Sequence, residues 1–265
     1  MKKLMQIEWI KIKKLNSVKI ILAIYMVMIP LWMWVMNLWF TEMNKAIPLF
    51  PDSKTLWSFP TVWKFVTYSA SYFNLLLLAI IMVILTTNEF ANRTLRQHII
   101  DGMTKRQVIY AKFLVVLLFS VISTCYVFLI GAIFGMSQGT GLDLYHNIHY
   151  IGLYFVQTLC YFGLAFFLSI LIRKSALSII LFYGVIFFET IVGWFVPNWF
   201  YAYLPLNNFS KLTPLPFFGQ MLKKAEENGA DGIYYLDLWQ VVLVSLLYMF
   251  LLYAIALFRL NRKDL

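Results

Sequence analysis

Residues 108–136 read VIYAKFLVVLLFSVISTCYVFLIGAIFGM. Crossing a hydrocarbon core about 30 Å thick takes about 20 residues of apolar helix. This run is longer than that, so it predicts a span with room to tilt or project. Two more such stretches lie on its amino-terminal side, at 65–87 and 18–38, and three on the other, at 148–172, 176–196 and 238–258. None alternates with the period of two that marks a barrel strand, and a helix satisfies its own backbone in lipid. A composition of 62% hydrophobic and 13% charged residues departs from that of soluble domains in the same direction. The expected fold class is an all-α polytopic membrane protein with six transmembrane helices, forming one domain over residues 1–265.

The charges set the orientation. Lys2, Lys3, Lys11, Lys13, Lys14 and Lys19 precede or open the first span. Arg93, Arg96, Lys105, Arg106 and Lys112 lie around the second connection, Arg173 and Lys174 in the fourth, and Arg259, Arg262 and Lys263 in the tail. These are 16 of the 22 cations, while seven of the 12 carboxylates fall on the other side. Lys and Arg concentrate in cytoplasmic segments, so both termini are expected in the cytoplasm, with the protein in the plasma membrane. The first apolar run lacks a small-x-small cleavage site and is expected to stay as a signal anchor. The net charge of +10 does not point to nucleic acid. The cations gather at span ends, where they attract anionic head groups, and no nucleic-acid motif accompanies them.

Outside the spans, four segments stand out. Residues 1–17 place Met5, Trp9 and Ile12 on one helical face beside many lysines, so an interfacial helix is expected, with a basic arm that only fixes topology as the alternative. The connection 39–61 carries Pro48, Pro51 and Pro60. Residues 137–147 form a short Gly-rich loop. Residues 197–237 form the largest outer element, with Pro197, Pro205, Pro214 and Pro216, and with a short amphipathic outer helix expected over 217–228, ended by Gly229. Trp194, Trp199, Phe200, Tyr201 and Tyr203 suit an aromatic belt. No internal repeat is visible, which speaks against the inverted-repeat transporters.

The most specific signal is 88–112, NEFANRTLRQHIIDGMTKRQVIYAK. Leu95, Ile99 and Met103 form an apolar stripe at helical spacing, while Arg93, Arg96 and Gln97 point elsewhere. A short cytoplasmic surface helix is expected, broken at Gly102. Thr104 then opens the next helix, with Gln107 three residues on, in a capping-box arrangement.

This segment resembles the cytoplasmic gate region of type-2 ABC transporter permeases. In that pattern an acidic residue leaves the second span, a Gly-Thr-Leu-Arg-like element follows, and a basic entry leads into the third span. The matching residues are Glu89, Thr94, Leu95, Arg96, Gly102, Arg106, Ala111 and Lys112. Arg93 stands where the pattern has glycine, and the usual proline of the turn is replaced by Gly102-Met103. The basic arm, six spans and long element between spans five and six resemble the family over the full length. The resemblance implies a dimerising permease, paired with a second copy or a paralogue in the lipid bilayer. Two copies of a separate cytoplasmic ABC ATPase would dock on residues 88–107, and ATP and Mg would bind that partner. The coupling residues it implies are Glu89, Arg93, Thr94, Leu95, Arg96, Ile99, Asp101 and Arg106. The chain has no G-x-x-x-x-G-K-[ST] phosphate loop of its own, and is expected to have no catalytic site or cofactor.

Glu189 is the carboxylate placed deep in a span. A charge there is costly, so it is expected to face a cavity or a partner, or to be protonated. Asn74, Ser123, Gln157 and Ser245 lie at similar depth by counting residues. Together they could form a polar layer along a substrate path or gate, Glu189, Asn74 and Gln157 foremost, or simply hydrogen-bond helix to helix. Cys125 and Cys160 fall inside spans and read as small apolar residues. His146 and His149, beside Asp143, lack the further ligands a zinc site needs, and His98 stands apart.

The function expected is the membrane-spanning subunit of an exporter of a lipid, hydrophobic peptide or amphipathic antibiotic. The alternatives are a non-transporting membrane partner or sensory subunit, and an intramembrane enzyme. The last would want a histidine inside a span, whereas all three histidines lie at or outside span ends, and Asp101 stands alone where a lipid phosphotransferase would cluster aspartates.

Overall fold

The computed structural model describes residues 2–46, 57–92, 94, 97, 100, 102–138, 144–216 and 236–262. Most of these residues are helical, with no strand among them. A helix α1 (Lys2–Lys14) precedes α2 (Asn16–Ala46). Then come α3 (Thr61–Ala91), α4 (Lys105–Gln138), α5 (His149–Ile172) and α6 (Ser175–Phe195). Two short helices, α7 (Asn198–Tyr201) and α8 (Pro205–Ser210), lead toward α9 (Leu238–Arg262). Six helices, α2 to α6 and α9, are long and apolar enough to cross a membrane, so the chain is a multi-pass membrane protein.

α5 is the hub. It packs against α3, α4, α6 and α9 and is the most buried of the six. Its core side chains include Tyr154, Leu159, Phe162 and Phe166. α2, α6 and α9 bury much less of themselves. Their apolar outer faces, with Val27, Ile180, Phe187 and Phe250 exposed, are what a bilayer-facing helix requires.

The connections differ in kind. Arg173 adopts φ 63°, closing α5 so tightly that α6 begins at Ser175. Its guanidinium lies 5.1 Å from the centre of the Phe90 ring. Gly102 adopts φ 93°, a conformation most side chains resist, and stands at the expected break before α4. The capping box there forms in both directions. The Thr104 N–H donates to Gln107 Oε1 at 2.9 Å, and the Gln107 N–H donates to Thr104 Oγ1 at 3.3 Å. α2 runs on to Ala46, so the first connection starts later than the expected residue 39.

α3 is not a uniform α-helix. Asn74–Leu78 forms a π-helical turn. A π turn frees backbone carbonyls from the regular ladder, and the neighbours respond. Tyr183 of α6 donates its hydroxyl to the Leu76 carbonyl at 2.6 Å. The Asn74 amide donates to Thr158 Oγ1 of α5 at 2.7 Å.

Candidate functional site: an ion cluster at one end and a capped cavity at the other

At the basic end of the bundle, four charged side chains from three helices meet. Glu8 and Lys11 come from α1, Glu89 from the end of α3, and Lys112 from the second turn of α4. Lys112 Nζ lies 2.7 Å from Glu8 Oε2 and 2.5 Å from Glu89 Oε1. Lys11 Nζ lies 2.7 Å from Glu89 Oε1 and 3.2 Å from Glu8 Oε1. Among the described residues, two carboxylates face two ammonium groups here. Their mutual attraction offsets part of the cost of placing Glu89 and Lys112, 4% and 3% exposed, away from water. Burial works against the Glu8 carboxylate, but Lys112 and Lys11 outweigh it and hold it below the usual carboxylate range. Burial likewise opposes the Lys11 ammonium, and Glu89 and Glu8 reverse this and raise its pKa.

Glu89 and Lys112 are the two roots of the connection that resembles an ATPase dock. Of the residues expected to form it, Thr94 donates its hydroxyl to the Glu89 carbonyl at 3.4 Å, and Arg106 is exposed at the start of α4. Arg93, Leu95, Arg96, Ile99 and Asp101 lie outside the described residues. Sequence reasoning singled out Glu89 but missed Glu8, Lys11 and the pairing role of Lys112. The signal was present. Lys112 stands inside an apolar span, where a charge calls for a partner, and Glu8 is the lone acid in a lysine-rich helix. On α1 itself, Ile12 is buried and Trp9 is half exposed; the Met5 side chain lies outside the described residues.

At the opposite end the polar residues of the spans converge on α8. Glu189 accepts backbone N–H bonds from Leu206 at 3.1 Å and Asn207 at 2.6 Å. The Gln157 amide donates to the Phe209 carbonyl and accepts from the Thr213 hydroxyl, each at 2.9 Å. Ser245 donates to Asn208 Oδ1 at 2.7 Å. At 1.5 Å per residue these three anchors lie about 9–12 Å from the ends of α6, α5 and α9 on this side of the bundle. The segment following α6 therefore turns back into the bundle and rests on three spans. Its Tyr201 ring lies so close to Gly193 that a Cβ there would sit 2.5 Å from a ring carbon. Ser123 stands apart from this group, in a hydroxyl triangle with Tyr25 and Tyr154 at 2.8–2.9 Å. The expected outer helix over 217–228 lies outside the described residues.

Between α8, α3, α5 and α6 lies a cavity of about 250 Å³, walled by Tyr68, Tyr72, Tyr161, Glu189, Tyr201 and Asn207 among others. The π turn of α3 begins just past Tyr72. Among the described residues, no group of three or more His, Cys, Asp or Glu side chains could hold a metal ion.

A six-span helical bundle, with a charged cluster at one end and a polar cavity at the other, has the form of a transport protein's membrane subunit. A family profile for ABC-2 family transporter proteins matches residues 4–190, from α1 into α6. The chain belongs to this family of ABC transporter membrane proteins. No curated protein gave a match.

Proposed function

We propose that this chain is the membrane-spanning subunit of an ATP-driven exporter, moving an amphipathic substrate across the plasma membrane. Membership of the ABC-2 family implies an ABC ATPase as the partner. In this reading two ATPase copies, which bind ATP and Mg, dock on residues 88–107 from the cytoplasm. Both termini lie on that side, α1 rests on the inner membrane face, and a second permease copy or a paralogue completes the pathway.

The observation that carries the reading is the ion cluster. It pins α1 to the last turn of α3 and the second turn of α4, the two roots of the docking connection. A load on that connection would move α3 and α4 together with α1 rather than bending the loop alone. α3 then runs without a break to the cavity, where Tyr68 and Tyr72 face α8 and Glu189. α8 serves as the outer lid of the path, and Glu189, Gln157 and Asn74 brace the outer half of the bundle.

The test is purification of the tagged chain from its native host in mild detergent, followed by mass spectrometry. An ATPase bearing a phosphate loop should co-purify near one copy per permease. A chain recovered intact with no such ATPase would remove the exporter reading in favour of a non-transporting membrane partner.

A further inference from the structure

We propose that the cavity beneath α8 binds the ammonium head group of a cationic amphiphile, with Glu189 as counter-charge and Tyr68, Tyr72, Tyr161 and Tyr201 as its aromatic wall. The proposal rests on the exporter reading and names the substrate class.

The chemistry of the lining is one-sided. It offers a carboxylate, four tyrosines and several hydroxyls, and among its described residues no Lys, Arg or His. An anionic group entering there would meet no counter-charge among these residues. A neutral solute could use the hydroxyls but would gain nothing special from the carboxylate. A cation gains from both, because tyrosine ring faces attract positive charge within about 6 Å of their centres.

Glu189 has capacity to spare. Each carboxylate oxygen accepts one backbone N–H, from Leu206 and Asn207. Each oxygen has two lone pairs, so one remains on each. The backbone bonds fix the carboxylate's position before a ligand arrives, which lowers the cost of binding.

Size and access fit a head group better than a whole molecule. At about 250 Å³ the cavity falls below the roughly 300–1,000 Å³ of pockets that hold drug-sized ligands. It has room for an ammonium carrying a few carbons. Tyr72 and Thr190 are exposed at its edge, on the flank between α3 and α6. Leu76 and Phe187 are exposed on the same two helices. An alkyl tail would lie along that apolar flank while the head group turns inward.

The probe is radiolabelled dodecyltrimethylammonium, with equilibrium binding measured on the full chain in nanodiscs of neutral lipid. Saturable binding is expected at micromolar concentration, weakened at least tenfold by Glu189→Gln and severalfold by Tyr72→Leu. Tyr72 is half exposed, so its loss spares the packing even if the Glu189 variant loosens α8. Dodecyl sulfate should not compete, and dodecylphosphocholine should compete weakly, because its phosphate finds no partner. Absence of saturable binding, equal binding by both variants, or competition by dodecyl sulfate would overturn the proposal. Equally tight dodecylphosphocholine would overturn it too, by assigning the cavity to a zwitterionic lipid. Binding needs no ATPase, so failure here leaves an ATPase-coupled exporter standing, and a failed ATPase co-purification leaves a positive binding result intact.

Discussion

Lys112 Nζ and Glu89 Oε1 stand 2.5 Å apart although 23 positions separate them in the chain. The span of sequence between them is the whole connection from α3 to α4. The pair thus closes that connection into a loop at its base, and Glu8 and Lys11 bolt α1 onto the closure.

Breaking this closure should be costly. Removing one partner of a buried ion pair typically costs about 3–5 kcal/mol, because the other charge is left stranded. Glu89→Ala and Lys112→Ala should each lower the unfolding temperature in detergent, measured by fluorescence-detected size exclusion. The double variant, which strands less charge, should lose less than the two single losses combined. Strict additivity would mean that the two side chains do not interact.

The cluster also sets a pH window. The Glu8 pKa is depressed, so its stabilisation is complete above the ordinary value of 4.5 and is lost as pH falls through the lower folded value. The Lys11 pKa is raised, so its contribution is complete below 10.5 and is lost as pH rises through the higher folded value. Stability should be flat between these limits and fall outside them. Glu8→Gln should weaken the acid-side decline, which urea titrations across pH would reveal.

The dock itself is open to direct attack. If Leu95 and Ile99 meet an ATPase groove, Leu95→Asp with Ile99→Asp should abolish ATPase co-purification and leave membrane insertion unchanged. Normal ATPase recovery with the double variant would place the dock elsewhere.

The lid can be loosened without touching a polar group. Gly193→Val forces a side chain into the space of the Tyr201 ring. Overpacking of this kind costs about 1–3 kcal/mol. The expected result is faster proteolysis within 197–213 of protein in detergent, with the six spans still folded. An unchanged cleavage rate would mean that Tyr201 yields freely.

Orientation is tested by fusions to an enzyme active only outside the cytoplasm. Fusions at either terminus should be silent, and a fusion within residues 217–235 should be active. An active carboxy-terminal fusion would contradict the proposed orientation.

The six spans were legible because lipid demands continuous apolarity, and that is written locally. The capping box of Thr104 and Gln107 was legible for the same reason, as its partners are three residues apart. The depth of Asn74, Gln157, Ser245 and Glu189 could be counted along their helices. Their partners could not, because Asn74 meets Thr158 across the bundle, and Leu206, Asn207, Asn208 and Phe209 reach the other three only when the segment after α6 folds back. Glu8 and Glu89 share no sequence pattern at all. Their meeting depends on how α1 turns at Leu15 against α4, which is a matter of packing.

The π turn at Asn74–Leu78 sets the phase between the two ends of α3. A π turn holds one residue more than the α-helical turn it replaces, and each α-helical residue advances the helix by about 100°. The turn therefore indexes Tyr68 and Tyr72 against Glu89, so that one half faces the cavity while the other keeps its ion partners. Winding the same residues as plain α-helix would instead turn one half about a quarter-turn past the other, whereas deleting the exposed Leu76 would restore a plain helix with the two halves still in phase. α3 is in this sense a keyed shaft, and the key is a single residue, held by the hydroxyl of Tyr183.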